Sequence, residues 1–205
     1  MLEKKFTILC HNFTKNNKLI KILWKKIELS YSNENRYYHT LSHLEDFYTE
    51  IYPFQLTPII EFSIFYHDII YDIKRKDNEK QSALLAQKHL RQLNVPKELI
   101  KQVYTLIIET KNHQTISSEN ALFLDADLSI LGSELKIYKL YIQNIRKEYS
   151  YYSNKVYEKG RREVLMNLLK KKKIYLSDYF YNLYEEKALA NIRYELNLLL
   201  KFPEN

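Results

Sequence analysis

Six histidines stand in the chain, and two groups of them have spacing that could do chemistry. In Arg36-Tyr-Tyr-His39-Thr-Leu-Ser-His43 the imidazoles are four residues apart, which puts both on one face of a helix, one turn apart. In Phe62-Ser-Ile-Phe-Tyr-His67-Asp68-Ile-Ile-Tyr71 an ionisable pair interrupts an apolar run. An unpaired carboxylate buried there would cost several kcal/mol, roughly, so Asp68 needs a partner, and a metal ion is a good one. A third segment, Phe123-Leu-Asp125-Ala-Asp127-Leu-Ser-Ile-Leu131, sets two more carboxylates in apolar surroundings. On a helix Asp125 and Asp127 point roughly 200° apart, so they do not share one site equally. Imidazole with carboxylate suits Mn, Fe, Co, Ni or Zn better than Ca, with Mg also open. An ion held this way can lower the pKa of a bound water and supply hydroxide at neutral pH.

Composition narrows the alternatives. The chain has 205 residues, 45% hydrophobic and 28% charged, which is the profile of a folded domain. With 2 Gly, at 132 and 160, neither a dinucleotide fingerprint nor a Walker-A loop can be written. The single Cys10 excludes an internal disulfide and a Cys-based zinc site. No apolar run reaches the roughly 18–20 residues of a membrane span, and Met1 to Asn12 does not read as a secretion signal, so a cytoplasmic protein without a membrane partner is expected. The net charge of +7 permits attraction to anionic ligands such as nucleotides. The densest basic run, Lys170–Lys173, reads as a solvated helix end sooner than as a nucleic-acid patch.

The elements that must carry these residues read as helices throughout. Leu19, Ile20, Leu23, Trp24 and Ile27 predict an amphipathic helix over 16–31. Leu41 to Ile51 predicts a second, ending before Pro53. Pro58 opens a third, running to Tyr71. Asn78 with Gln81 suggests a capping box for a fourth, through Leu93, and Pro96 opens a fifth that ends near Thr110. Further helices are expected over 121–131, 134–150, 155–171 and 177–200. The expected fold is all-α, a single-domain helical bundle over 1–205, with a metal-site core at 36–132 and helices 134–200 packed on it.

The motifs, taken together and in this order, resemble the HD superfamily of metal-dependent phosphohydrolases. Its pattern of a His, a His-Asp pair and a distant Asp would here be His43, His67-Asp68 and Asp127. The likeness to a bacterial branch of predicted HD-type phosphohydrolases extends through Phe65-Tyr-His67-Asp68-Ile-Ile-Tyr71-Asp72, Asn78-Glu79-Lys-Gln-Ser82-Ala83, Glu109-Thr110-Lys-Asn-His113, Asp125-Ala-Asp127-Leu-Ser-Ile-Leu-Gly132, Ile145-Arg146-Lys-Glu148-Tyr149 and Gly160-Arg161, covering about 36–200. Tyr38-His39-Thr40-Leu-Ser-His43 is also similar to the Tyr-His-Asn-x-x-His signature of cyclic-nucleotide phosphodiesterases, with Thr40 in place of Asn. Those enzymes carry Ala-Asp-Leu-Ser as well, matched by Ala126-Asp127-Leu128-Ser129, which favours Asp127 over Asp125 as the last ligand.

The resemblance implies a fold of HD type and a phosphohydrolase with His43, His67, Asp68 and Asp127 on a divalent metal. Its substrate would be a nucleotide or another small phosphorylated metabolite. Asp68 would serve both the metal and the chemistry, and His39 would protonate the leaving oxygen. Arg36 is a candidate phosphate contact, since guanidinium binds phosphate oxygens in bidentate fashion. For Arg146 and Arg161, ion pairing with Glu148, Glu158 or Glu163 is the favoured alternative. His113 is either a pocket-rim residue or a helix-end histidine. Tyr71 and Asp72 would line the pocket, Asp72 orienting a ligand imidazole. A metal-holding nucleotide sensor without turnover, and a basic nucleic-acid-binding helical protein, are the rival readings; oligomeric state is left open.

Overall fold

The structure, a computed structural model, describes residues 1–200 and is all-helical, with no strand among them. Contacts divide the chain into two compact units, one of residues 1–115 and one from residue 116 onward. The division precedes the helix that carries Asp125 and Asp127. No helix among the described residues is long and apolar enough to cross a membrane.

The first unit holds six helices: α1 (Leu2–His11), α2 (Asn17–Tyr31), α3 (Leu41–Glu50), α4 (Pro58–Tyr66), α5 (Asn78–Gln92) and α6 (Lys97–Glu109). Helix α4 is its centre. Ile60 and Phe62 to Tyr66 are all buried, so α4 turns consecutive, mostly apolar side chains into protein on several sides, as a helix enclosed by others must. It packs against α1, α3, α5 and α6. Thr57 caps it, accepting the Ile60 N–H, and Pro58 takes the first turn. Helix α6 presents Ile100, Val103, Leu106 and Ile107 at helical spacing, while Ala83 and Ala86 let α5 approach it closely.

Three local expectations are corrected here. Helix α1 was not anticipated, although Leu2, Phe6, Leu9 and Cys10 follow helical spacing and are buried, with Phe6 edge-on to Phe65 at 5.1 Å. Helix α4 stops at Tyr66 and not at Tyr71, because the backbone beyond it bonds to side chains: Asp68 and Ile69 carbonyls accept from Arg36, and Ile70 exchanges bonds with Ser82 Oγ. The capping position of α5 is Asp77, whose Oδ2 accepts from Gln81 Nε2 at 2.8 Å. The Asn78 amide turns instead to the Asp72 backbone, accepting its N–H and donating to its carbonyl.

The second unit holds α7 (Ser118–Asp127), α8 (Leu135–Glu148), α9 (Asn154–Lys170) and α10 (Asp178–Leu200). The helix expected over 121–131 is α7 followed by a separate 3-10 turn, Ser129–Gly132. Helix α10 packs against that turn and against α7, α8 and α9. At Gly132 a Cβ would collide with the Tyr184 ring, so only glycine lets the turn lie flat on α10. Asn191 then donates to the Leu131 and Ser133 carbonyls, and Glu185 accepts the Ile174 and Tyr175 N–H groups.

Candidate metal centre

His43 lies in the first turns of α3, His67 caps the C-terminus of α4, and Asp68 follows it out of the helix. Both histidines are buried; the Asp68 side chain is 20% exposed, which leaves the group open on its carboxylate side. One ligand atom from each of the three lies within 4.8 Å of the others. His43 Nε2 and His67 Nε2 are 3.2 Å apart, and Asp68 Oδ2 is 3.4 Å from His67 Nε2.

The tautomer of His67 follows from its surroundings. Its Nδ1 sits 3.0 Å from the Ile64 carbonyl and 3.3 Å from that of Ser63. Carbonyls only accept, so Nδ1 carries the hydrogen and the Nε2 of the neutral ring keeps its lone pair toward His43 and Asp68. The last turn of α4 thus aims a ligand nitrogen. Phe47 packs against both rings, 6.2 Å from His43 and 5.7 Å from His67 between centroids, and shuts the apolar side. The donor set fits a divalent cation, because two nitrogens each about 2.0–2.1 Å from one ion are separated by roughly 3 Å, close to the spacing here. One turn further along α3, partial burial pushes the Asp46 carboxyl up, with His43 drawing it back.

His39 stands beside the trio, its Nε2 3.8 Å from Asp68 Oδ2. Tyr71 stacks on its ring, with centroids 4.0 Å apart and planes 28° from parallel. Arg36 is buried and its guanidinium is committed to backbone. Nη1 donates to the carbonyls of Asp68 (2.8 Å) and His39 (3.3 Å), and Nη2 to that of Ile69 (3.0 Å). The rings of Tyr31 and Tyr71 flank it at 5.0 and 5.6 Å. Tyr31 adds a further tie, its hydroxyl accepting the Asp68 N–H. Nothing in the spacing links Tyr31, at the end of a packing helix, or Ser82 to the His-Asp pair.

The Asp72 carboxylate accepts from Lys74 N–H and shapes the loop into α5. His113 lies in the turn four residues past the end of α6, with a positive φ of 48° and its N–H donating to the Glu109 carbonyl. In the second unit, Asp127 is the last residue of α7 and half-buried. Asp125 is buried, and its two oxygens accept from Leu176 N, Ser177 N and Ser177 Oγ at 2.6–2.7 Å, so it anchors the entry to α10. Arg146 donates to the Tyr149 and Tyr152 carbonyls and to Asn154, clamping the turn from α8 to α9. Arg161 makes a bidentate pair with Glu195, which Tyr138 completes; its partner is thus a glutamate on α10 and none of the three nearer in sequence.

Comparison with protein-family models, with curated proteins and with solved structures yields no match to this chain.

Proposed function

We propose that the chain is a metal-dependent phosphohydrolase of the HD type, acting on a phosphoester in a nucleotide or another small phosphorylated metabolite. The observation that carries this reading is the convergence of two buried imidazole Nε2 atoms, 3.2 Å apart, on a partly exposed carboxylate. His43, His67 and Asp68 would hold a divalent ion such as Mn, Fe, Co, Ni or Zn, with Mg also open. When bound, such an ion polarises a phosphoryl oxygen and acidifies water.

The chain's own residues supply the rest. The Ser63 and Ile64 carbonyls keep the His67 proton on Nδ1. His39 is the proton donor to the leaving oxygen: as imidazolium it gives up Nε2–H, from a place 3.8 Å from Asp68 Oδ2. Tyr71 fixes the plane of that ring. Asp127 enters as a further ligand on the resemblance alone and is tested separately by Asp127→Asn.

The deciding experiment is metal content of the purified parent beside Asp68→Ala, followed by a phosphoester panel with the bound metal. One or two equivalents in the parent, lost in the variant, together with turnover of at least one phosphoester, support the reading. No uptake by the parent after loading with Mn, Fe, Zn or Ni overturns it.

A further inference from the structure

Arg36 has the side chain that phosphate sites use, yet its donors point inward to three carbonyls and two tyrosine rings cover it. From this geometry we infer that Arg36 is a positioning residue: it locks the segment carrying His39 to the turn carrying His67 and Asp68, and so sets where the three side chains stand. The inference rests on the proposed metal site for its consequence and on the protein fold alone for its mechanism.

Past Tyr66 the carbonyls of Asp68 and Ile69 point out of the end of α4, where partial negative charge collects. A guanidinium answers several such carbonyls at once, because its donors are held in a planar fork. Nη1 serves Asp68 and His39 together, joining residues 29 apart in sequence, and Nη2 takes Ile69. The flat faces of the fork rest against Tyr31 and Tyr71. Both rings also touch the site, since Tyr31 holds the Asp68 N–H and Tyr71 stacks on His39. The residue is 9% exposed, which leaves little of it to meet a phosphate. An ammonium at this position keeps the charge but has neither the fork nor the faces.

The test is Arg36→Lys, read by amide hydrogen exchange without metal and by Mn2+ titration. Residues 36–43 and 67–71 are expected to exchange about tenfold faster or more, as loss of charge-assisted bonds implies, while α6 exchanges as in the parent. Mn2+ affinity is expected to fall about 10–100-fold, the usual cost of removing a residue that orients metal ligands. Parental exchange in both segments overturns the inference, and so does faster exchange with parental Mn2+ affinity. Loss of inorganic-phosphate binding with parental exchange also overturns it and makes Arg36 an anion contact. If the parent itself takes up no Mn2+, the proposed function fails, and the exchange comparison still decides the clamp. Should Arg36→Lys lose its helical circular dichroism, Arg36→Gln, which keeps a planar donor head, carries the same readouts.

Discussion

His43 Nε2 and His67 Nε2 come within 3.2 Å of each other from positions 24 apart in the chain, inside a shell closed by Phe47. Two basic nitrogens at that distance need either a shared proton or a shared cation. Replacing either histidine with Ala is expected to weaken Mn2+ binding by more than about 100-fold, beyond what outer partners cost. Calorimetric titration of the apo protein checks this, with circular dichroism to show that the helices persist.

His39 is close to the trio without belonging to it, and its removal should separate binding from turnover. His39→Gln is expected to retain metal and to lose about 10²–10⁴ in rate on an alkyl phosphoester. A nitrophenyl ester, whose leaving oxygen needs no proton, should lose far less. Equal losses on both esters would remove His39 from the role of acid.

Asp125 and Asp127 should behave as opposites. Asp125→Ala leaves Leu176 N–H, Ser177 N–H and the Ser177 hydroxyl without their acceptor. A loss of about 3–5 kcal/mol in urea unfolding is expected, with metal uptake unchanged under native conditions. Metal loss from a still-folded Asp125 variant would contradict its assignment as an anchor.

His89 makes stability depend on pH. It is buried against the Tyr66 hydroxyl, 3.2 Å from Nδ1, and burial, reinforced by Lys26 and Lys88, pushes its pKa down to about 4 from 6.5. Between those values the unfolded chain binds a proton that the native chain refuses, so stability falls as pH drops through that window and is fully present above it. His89→Gln should remove up to about 3 kcal/mol of this acid sensitivity. Thermal midpoints of both proteins from pH 7.5 to 4 measure it.

What could be read in the sequence divides along a physical line. Periodicity marks a helix wherever a face is buried, so α2, α5, α6, α8, α9 and α10 lie close to their expected bounds. It fails at α4, where a run of consecutive, mostly apolar residues has no face to count and where the stop at Tyr66 is set by partners far away in sequence. The nearness of His43, His67 and Asp68 was suggested by residue type and order, and the helix packing brings them together. The inward turn of Arg36 was hidden, because sequence shows a guanidinium but not the carbonyls it meets. The two carboxylates on α7 were seen as distinct, and it is Ser177, fifty-two residues on, that shows what Asp125 is for.

The early end of α4 has a consequence for portability. The Asp68 N–H, the Asp68 and Ile69 carbonyls and both backbone groups of Ile70 take their partners from Tyr31 on α2, from Arg36 in the following loop and from Ser82 on α5. A peptide spanning 58–72 would contain the His-Asp pair and none of these supports. Grafting that stretch onto another helix would therefore transplant the letters of the motif without its shape, and an excised fragment should show no greater affinity for Mn2+ than a disordered peptide with the same composition.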